Sequence, residues 1–169
     1  GTARSGLNNA LWEWCDLAIS NGATYDMDDH DLHVPLIEGE GTLDLGSGTI
    51  TVFNGYDHTF SGYVTGSGLF KKTGDQAVGS GDDRLELTGT NTYSGGTFLE
   101  GGTLHIHTET NLGTGGITFT NGARLWIAQD AKFDATRGFA LAGNGRIDVY
   151  TEWTSTVNGV VSGRRVGYS

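Results

Sequence analysis

The sequence is poor in cysteine and in basic residues. Cys15 is the one cysteine, so no disulfide bond can form within the chain. Ten Lys and Arg stand against 20 Asp and Glu, which gives a net charge of −10, and basic residues are adjacent only at Lys71–Lys72 and Arg164–Arg165. Nucleic acids and anionic membrane surfaces require clustered positive charge, so neither is expected as a partner. The charge balance instead predicts an acidic outer surface.

Several other signals are missing. No apolar run approaches the length of a membrane span, and no signal peptide is present. Neither the Gly-x-Ser-x-Gly nucleophile turn nor a phosphate-binding or dinucleotide-binding loop occurs, and Cys15 has no identified histidine partner. Because the chain begins at Gly1 and not at methionine, we expect a mature or excised piece of a longer polypeptide.

Glycine, in contrast, is abundant. The 169 residues include 29 Gly and only one Pro, and much of the remainder is Thr, Val, Ile and aromatic residues. This mixture favours many short strands joined by tight turns. The length suits a single domain, residues 1–169, and no linker or break in composition divides it.

The chain contains a long internal repeat. Residues 41–66 and 138–163 share nine identical positions without a gap at a shift of 97, and "LAISNGA" (17–23) aligns with "ITFTNGA" (117–123) at a shift of 100. The sequence is thus interpreted as about one and a half copies of a unit of 97–100 residues. The second copy is incomplete, so we expect the parent polypeptide to continue beyond Ser169.

A shorter period lies inside the long one. "ATYDMDDHDLHV" (23–34) sits over "GTLDLGSGTITV" (41–52) at a shift of 18. A period near 20, with alternating strands and glycine turns, predicts the stacked coils of a solenoid. Alternation along the strands predicts which side chains point to the inside of a coil and which to the outside. The inward set is Tyr25, Met27, Leu32 and Val34 with Leu43, Leu45, Ile50 and Val52, and the outward set is Asp26, Asp31 and His33 with Asp44, Thr49 and Thr51.

The same pattern predicts further local structure. Asp28, Asp29 and His30 align with Gly-Ser-Gly, which indicates a turn. The segment 6–19 is compatible with a short helix, although its end, Leu17–Ile19, aligns with strand residues. Alternation recurs at 84–89, 102–107, 116–127 and 145–150, which predicts further strands.

Residues 62–106 resemble the passenger-associated repeat of bacterial autotransporters. The most specific part is "NTYSGGT" (91–97), and an insertion, "TGDQAVGSGDDR" (73–84), stands where the family has a tight turn. The positions that match the family pattern are Gly66, Gly68, Leu69, Lys72, Thr73, Gly74, Leu85, Leu87, Gly89, Asn91, Tyr93, Ser94, Gly95, Gly96, Thr97, Gly102, Thr103 and Leu104. With the flanking segments 41–52 and 111–125, the resemblance covers about two-thirds of the chain.

The resemblance implies a right-handed parallel β-helix in a passenger that is secreted or displayed on the outer membrane of a Gram-negative-type bacterium. In this family such repeats commonly serve as a stalk that holds a separate enzymatic or adhesive domain away from the cell. A host surface protein or glycan is the expected partner. A C-terminal translocator barrel is expected in the parent chain. No cofactor and no membrane span within this chain are expected.

Asp26 and Asp44 are the first candidates for chemistry. At matching positions of adjacent coils their strands would lie about 4.8 Å apart. Two stacked carboxylates repel each other, so the pKa of one should rise, which is the starting point of acid–base hydrolysis. Asp28 is a further candidate nearby. The alternative is an exposed pair that side-chain rotation and water keep apart, and no Asp-Thr-Gly or Asp-Ser-Gly signature is present.

Acidic residues and histidines also suggest metal ligands. Asp29, His30 and Asp31 could bind a divalent cation, although their order is not that of an EF-hand, and a solvated turn is the alternative. "GSGDDRL" (79–85), with Asp83, resembles half of a calcium-binding nonapeptide repeat, in a single copy. His105 and His107 share a strand face and could present two ligands to zinc, but the sequence supplies no third ligand.

Tryptophans are candidates for contact with sugars. Trp12 and Trp14 share a face, and Trp126 and Trp153 lie elsewhere. Such rings either stack on sugar rings or pad the end of a core.

Two functions remain open. One is a non-enzymatic passenger fragment that serves as stalk or adhesive surface. The other is a secreted hydrolase of mucin-like glycoprotein or polysaccharide that uses Asp26 and Asp44; β-helices host such enzymes, but a fold alone does not establish an activity.

Overall fold

A computed structural model describes residues 1–11, 14–53, 56–74, 83–120, 122–129, 131–149, 155–158 and 160–163. The chain winds into successive coils, and each strand in the described residues pairs in parallel with the equivalent strand of at least one neighbouring coil. The predicted all-β parallel solenoid is therefore confirmed. Among these residues no helix is long and apolar enough to cross a membrane.

The stacked strands form three faces of the solenoid, which are numbered here in the order in which the chain visits them. Face 1 consists of β1 (Thr2–Arg4), β3 (Thr24–Asp26), β6 (Thr42–Asp44) and β9 (Tyr63–Thr65), and later of the pair β16 (Ala131–Phe133) and β19 (Ser155–Val157). Face 2 consists of β4 (Leu32–Val34), β7 (Thr49–Val52), β10 (Leu69–Lys72), β12 (Thr97–Leu99), β14 (Ile117–Phe119), β17 (Phe139–Leu141) and β20 (Val161–Gly163). Face 3 consists of β2 (Leu17–Ile19), β5 (Ile37–Gly39), β8 (His58–Phe60), β11 (Arg84–Leu87), β13 (Thr103–Ile106), β15 (Arg124–Ile127) and β18 (Arg146–Val149).

The register predicted from the 18-residue shift is confirmed. Thr24–Asp26 pairs with Thr42–Asp44 on face 1, and Leu32–Val34 pairs with Ile50–Val52 on face 2. The predicted inward side chains are buried, and the predicted outward ones are half-buried or exposed. Each buried Leu, Ile, Val or Met contributes about 1.5–3 kcal/mol of transfer free energy, so the stacked interior is what holds the coils together.

The 97-residue repeat relates strands that lie on different faces. Its two copies superimpose β6 of face 1 on β17 of face 2, and β7 of face 2 on β18 of face 3. The similarity therefore reflects shared strand–turn–strand units and not equivalent places around the coil.

Glycine marks the corner between face 1 and face 2, where consecutive coils come into backbone contact. A Cβ on Gly48 would lie 2.1 Å from the carbonyl oxygen of His30, and one on Gly68 would lie 2.0 Å from that of Gly48. No other residue fits without moving the backbone of the coil below. This stacking explains why glycines recur at the coil period.

Among the described coils, two lack a strand on face 1, and buried asparagine side chains take its place. Asn91 Oδ1 accepts the Val64 N–H at 2.7 Å, and Asn91 Nδ2 donates to the carbonyl oxygen of Asn111 at 2.5 Å. In the next coil Asn111, at the end of the 3₁₀ helix Glu109–Asn111, donates to the carbonyl oxygens of Thr88 and Gly89. The two amides thus satisfy backbone groups that a strand would otherwise pair.

Several sequence predictions concern the remaining segments. The described part of 6–19 contains no helix, and its end is the strand β2, as the alignment indicated. Cys15 is exposed. Residues 75–82 of the inserted loop, and also Trp12 and Trp153, lie outside the described residues.

Candidate functional site

The two aspartates of the predicted acid–base pair each stabilise a turn. Asp26 and Asp44 are in register, and each accepts the backbone N–H two residues further on, from Asp28 at 2.8 Å and from Gly46 at 3.1 Å. Asp26 also forms an ion pair with Arg4 at 2.8 Å. The hydrogen bond from Asp28 and, in smaller part, Arg4 outweigh burial and lower the pKa of Asp26. The expected rise in pKa is therefore wrong for Asp26, because the Asp28 N–H and the Arg4 guanidinium of the preceding coil both favour the ionised carboxylate.

The predicted metal ligands of the opening turn point to backbone amides of the next coil. Asp28 and Asp29 adopt positive φ angles of 49° and 65° in the turn. Asp29 Oδ1 accepts the Ser47 N–H and Asp31 Oδ1 accepts the Thr49 N–H, both at 2.7 Å. His30 Nδ1 is buried and has no hydrogen-bond partner within the described part of the chain. The predicted turn is confirmed, whereas metal binding at Asp29, His30 and Asp31 stays a prediction.

Asp83, the fourth predicted ligand, lies beside a buried lysine. Its Oδ1 is 2.6 Å from Nζ of Lys72, whose side chain is fully buried at the end of β10. The carboxylate thus has a structural partner, and Gly79 and Gly81 of the suggested calcium motif lie outside the described residues.

The outer surface of face 3 brings together a cluster that the sequence did not assemble. Glu86 of β11 is in register with His105 of β13, and His107 follows two residues later on the same side. One ligand atom of each side chain lies within 4.8 Å of the other two. We refer to Glu86, His105 and His107 as the Glu-His-His cluster. Glu86 is the ligand that the sequence analysis missed. It could have been found, because "RLEL" (84–87) aligns with "TLHI" (103–106) at a shift of 19, which places Glu86 next to His105.

Glu86 is the centre of the cluster. Its Oε1 lies 2.6 Å from His107 Nε2 and 3.3 Å from His105 Nδ1, and its Oε2 accepts a hydrogen bond from Thr59 at 3.1 Å. Burial alone would raise the pKa of Glu86, but the bonds from His107 and Thr59 and the charges of the two histidines lower it. Glu86 is therefore a carboxylate at neutral pH.

His105 is buried and poorly satisfied. The residue is 7% exposed, and neither ring nitrogen has a hydrogen-bond partner among the described residues. The 3.3 Å approach of Nδ1 to Glu86 Oε1 is within ion-pair distance but lacks the geometry of a hydrogen bond. Burial holds the pKa of His105 below its usual value, against the attraction of Glu86, so the imidazole is neutral at neutral pH and its charge acts on Glu86 only in acid.

The ring of Trp126 covers the cluster on the side of the next coil. Trp126 is in register with His105, and their rings stack at 4.6 Å between centroids. The guanidinium carbons of Arg124 and Arg84 lie 4.9 and 5.5 Å from the centroid of the indole ring. Trp126 is thus packed among protein groups, whereas Trp14 is 81% exposed.

Ion pairs continue face 3 in both directions. Arg84 pairs with Asp57 at 3.1 Å, and Asp148 pairs with both Arg124 and Arg146 at 2.5 Å. These five side chains place charges of both signs on face 3, on either side of the cluster.

A shallow groove of about 540 Å³ lies on face 2. Asp31, His33 and Lys71 contribute its charged and titratable lining, together with threonines of β7. It has no group of three metal-ligating side chains among the described residues.

Comparison with known proteins agrees with the resemblance seen in the sequence. Residues 80–106 match the family model described as the passenger-associated-transport-repeat. Over 126 residues, 73% of this chain, the sequence is 32% identical to the protein named Adhesin BmaC autotransporter of Brucella suis biovar 1 (strain 1330). The matched part is 3% of that protein's length. No solved structure matches the chain. The chain thus carries a passenger repeat and is homologous to a small part of an autotransporter adhesin.

Proposed function

We propose that this chain is a segment of a secreted or surface-displayed bacterial passenger, in which it serves as a stiff stalk and offers face 3 as an adhesive surface to a host protein or glycan. The observation that carries the proposal is the 126-residue similarity to an autotransporter adhesin. That protein is named an adhesin, and we infer an adhesive role for this chain from the homology.

The stacking of the coils supports the stalk role. Two sheets of seven parallel strands run along the solenoid, and at about 4.8 Å per coil they give a rod of roughly 30 Å. Neighbouring coils share one continuous apolar interior, so bending the rod would expose buried side chains. Length and stiffness are the properties that a stalk requires.

The side chains of face 3 support the adhesive role. Arginines, acidic residues, two histidines and a tryptophan lie side by side on this flat surface. Arg146 is the most accessible of them, with 71% of its side chain exposed. Arginine and aromatic groups are enriched at protein interfaces, and charged rims mainly accelerate association.

Adhesion is testable with the purified 169-residue chain coupled to beads and applied to cultured host cells. We expect wild-type beads to bind above uncoupled beads and Arg146→Glu on face 3 to reduce binding by about threefold or more. Lys132→Glu, the same change of charge on an exposed residue of β16 on face 1, is the matched control and should leave binding unchanged. Wild-type beads that bind no better than uncoupled ones would overturn the adhesive role, and equal losses in the two variants would overturn the assignment to face 3.

A further inference from the structure

We propose that Glu86, His105 and His107 form a binding site for a divalent transition-metal ion, with Zn²⁺ as the ion that their donor atoms fit best. Two imidazole nitrogens and one carboxylate oxygen are a common ligand set of zinc, and the imidazoles disfavour Ca²⁺ and Mg²⁺. This inference goes beyond adhesion and does not depend on it.

The distances in the cluster are close to those of a coordination shell. Bonds of about 2.0–2.2 Å in tetrahedral geometry separate neighbouring ligand atoms by roughly 3.3–3.6 Å. Glu86 Oε1 and His105 Nδ1 are already 3.3 Å apart. Glu86 Oε1 and His107 Nε2 are 2.6 Å apart and share a hydrogen bond. To bind the same metal ion, these two atoms need to move apart by less than about 1 Å. Rotation of the half-exposed His107 side chain is the adjustment that metal binding would require.

The unsatisfied nitrogens of His105 are the second, independent observation. Neither ring nitrogen has a hydrogen-bond partner in the parts of the chain that the structure describes, and each unpaired buried group costs about 1–3 kcal/mol. The Nδ1 atom faces Glu86, where a metal ion would bind, and the stacked indole of Trp126 limits rotation of the ring. Coordination of a metal by Nδ1 would satisfy one of these buried nitrogens.

Two outer partners hold the other ligands. Thr59 donates to Glu86 Oε2, which leaves Oε1 for the metal. The side-chain nitrogen of Gln129 lies 3.2 Å from His107 Nδ1. With a metal on Nε2, the proton of His107 lies on Nδ1 and is donated to the amide oxygen of Gln129 after rotation of the amide. Outer partners of this kind orient metal ligands in known sites.

The three ligands come from consecutive coils, so a bound ion would tie β11 to β13. This junction lies directly after the inserted loop at 73–84, which makes the connection from β10 to β11 longer than the other connections from face 2 to face 3. Three protein ligands also leave one coordination position for water, towards the exposed edge of His107.

Calorimetric titration of the whole, chelator-treated chain with Zn²⁺ tests the site. We expect one Zn²⁺ per chain for the wild type and affinity lowered about 100-fold or more in Glu86→Gln and His107→Gln. His33→Gln, on face 2, is the matched control and should bind like the wild type. The proposal is overturned if the wild type takes up no Zn²⁺, or if His33→Gln weakens binding as much as His107→Gln.

A substitution of buried His105 could disturb folding, so its role is tested in the unmodified protein. Histidine ring-nitrogen NMR signals should shift for both His105 and His107 when one equivalent of Zn²⁺ is added, while that of His33 stays in place. If His105 does not shift, the three-ligand site is contradicted, whatever the calorimetry shows.

Discussion

The ammonium group of Lys72 lies 2.6 Å from the carboxylate of Asp83, and the lysine side chain is fully buried inside the solenoid. Lys72 occupies an interior position between Val52 and Leu99 of the adjacent coils. Its Nζ also donates to the carbonyl oxygen of Thr73. The pair thus joins the two ends of the inserted loop across the corner between face 2 and face 3.

Breaking this pair should be costly. Asp83→Asn leaves a buried charge without its counter-charge, so we expect the free energy of unfolding to fall by about 3–5 kcal/mol. Asp57→Asn breaks the exposed Asp57–Arg84 pair instead and should cost about 1 kcal/mol or less. Chemical denaturation measures both. Adding Lys72→Met to Asp83→Asn should recover much of the loss, and equal losses in the two single variants would show that burial of Lys72 is not the cause.

The buried amide of Asn91 should be equally hard to replace. Asn91→Leu removes the acceptor of the Val64 N–H and the donor to the Asn111 carbonyl, which leaves two buried backbone groups unpaired. We expect a loss of about 2–5 kcal/mol in the free energy of unfolding. Asn144→Leu, at an exposed turn, should change it by about 0.5 kcal/mol or less. A similar, small effect at both positions would mean that the amide does not hold the strandless corner of face 1.

Tyr93 should make the protein sensitive to alkali. The ring is fully buried, and burial raises the pKa of its hydroxyl against the smaller effect of the 2.6 Å bond with Thr97. Because the folded pKa lies above the unfolded value of 10.0, the folded state holds the proton longer. This contribution to stability is present below pH 10 and is lost as the pH rises through the folded pKa.

Denaturation at a series of pH values between 8 and about 11.5 measures this dependence. In Tyr93→Phe the decline in the free energy of unfolding above pH 10 should be flatter than in the wild type. Parallel curves for the two proteins would contradict the assignment to Tyr93.

Asp26 should titrate below its ordinary value of 3.8. Carboxyl carbon NMR of the wild type measures this pKa directly, and Arg4→Gln should move it upward because one of the lowering interactions is lost. The stability that the ionised carboxylate contributes is present above pH 3.8 and is lost as the pH falls through the folded pKa. An Asp26 pKa above 3.8 would restore the acid–base hypothesis, for which hydrolysis of mucin by the wild type and its loss in Asp26→Asn would then be required.

The coil register was predictable where the period is unbroken. Identical spacing in 23–34 and 41–52 aligned Asp26 with Asp44 and Leu32 with Ile50, because period-2 burial leaves one register that keeps all apolar residues inside. The turn at Asp28 and Asp29 was predictable because the same alignment places these residues over Gly46 and Ser47.

Interactions across an interruption were not predictable. Lys72 and Asp83 are separated by the inserted loop, so no period relates them. The alternation of the strand places Lys72 inside the solenoid. A buried lysine requires a partner of opposite charge, and the hydrophobic pattern does not identify that partner. Asp26 pairs with Arg4, which lies in the first coil. The sequence of that coil shows little of the repeat, so the alignment does not place Arg4 next to Asp26. A hydrophobic pattern also does not identify buried polar side chains, such as Asn91, that form hydrogen bonds with backbone groups.

The pairing of β11 with β13 is tested most directly by a disulfide between Glu86→Cys and His105→Cys in a Cys15→Ser background. Paired residues of neighbouring strands lie about 4.8 Å apart, which is within the range of a disulfide, whereas Glu86→Cys with Thr103→Cys is a diagonal pair at roughly 8 Å. We expect mild oxidation to cross-link the first pair nearly completely and the second hardly at all, as read by mass spectrometry of proteolytic fragments. Cross-linking of the diagonal pair in preference to the first would contradict the register that assembles the Glu-His-His cluster.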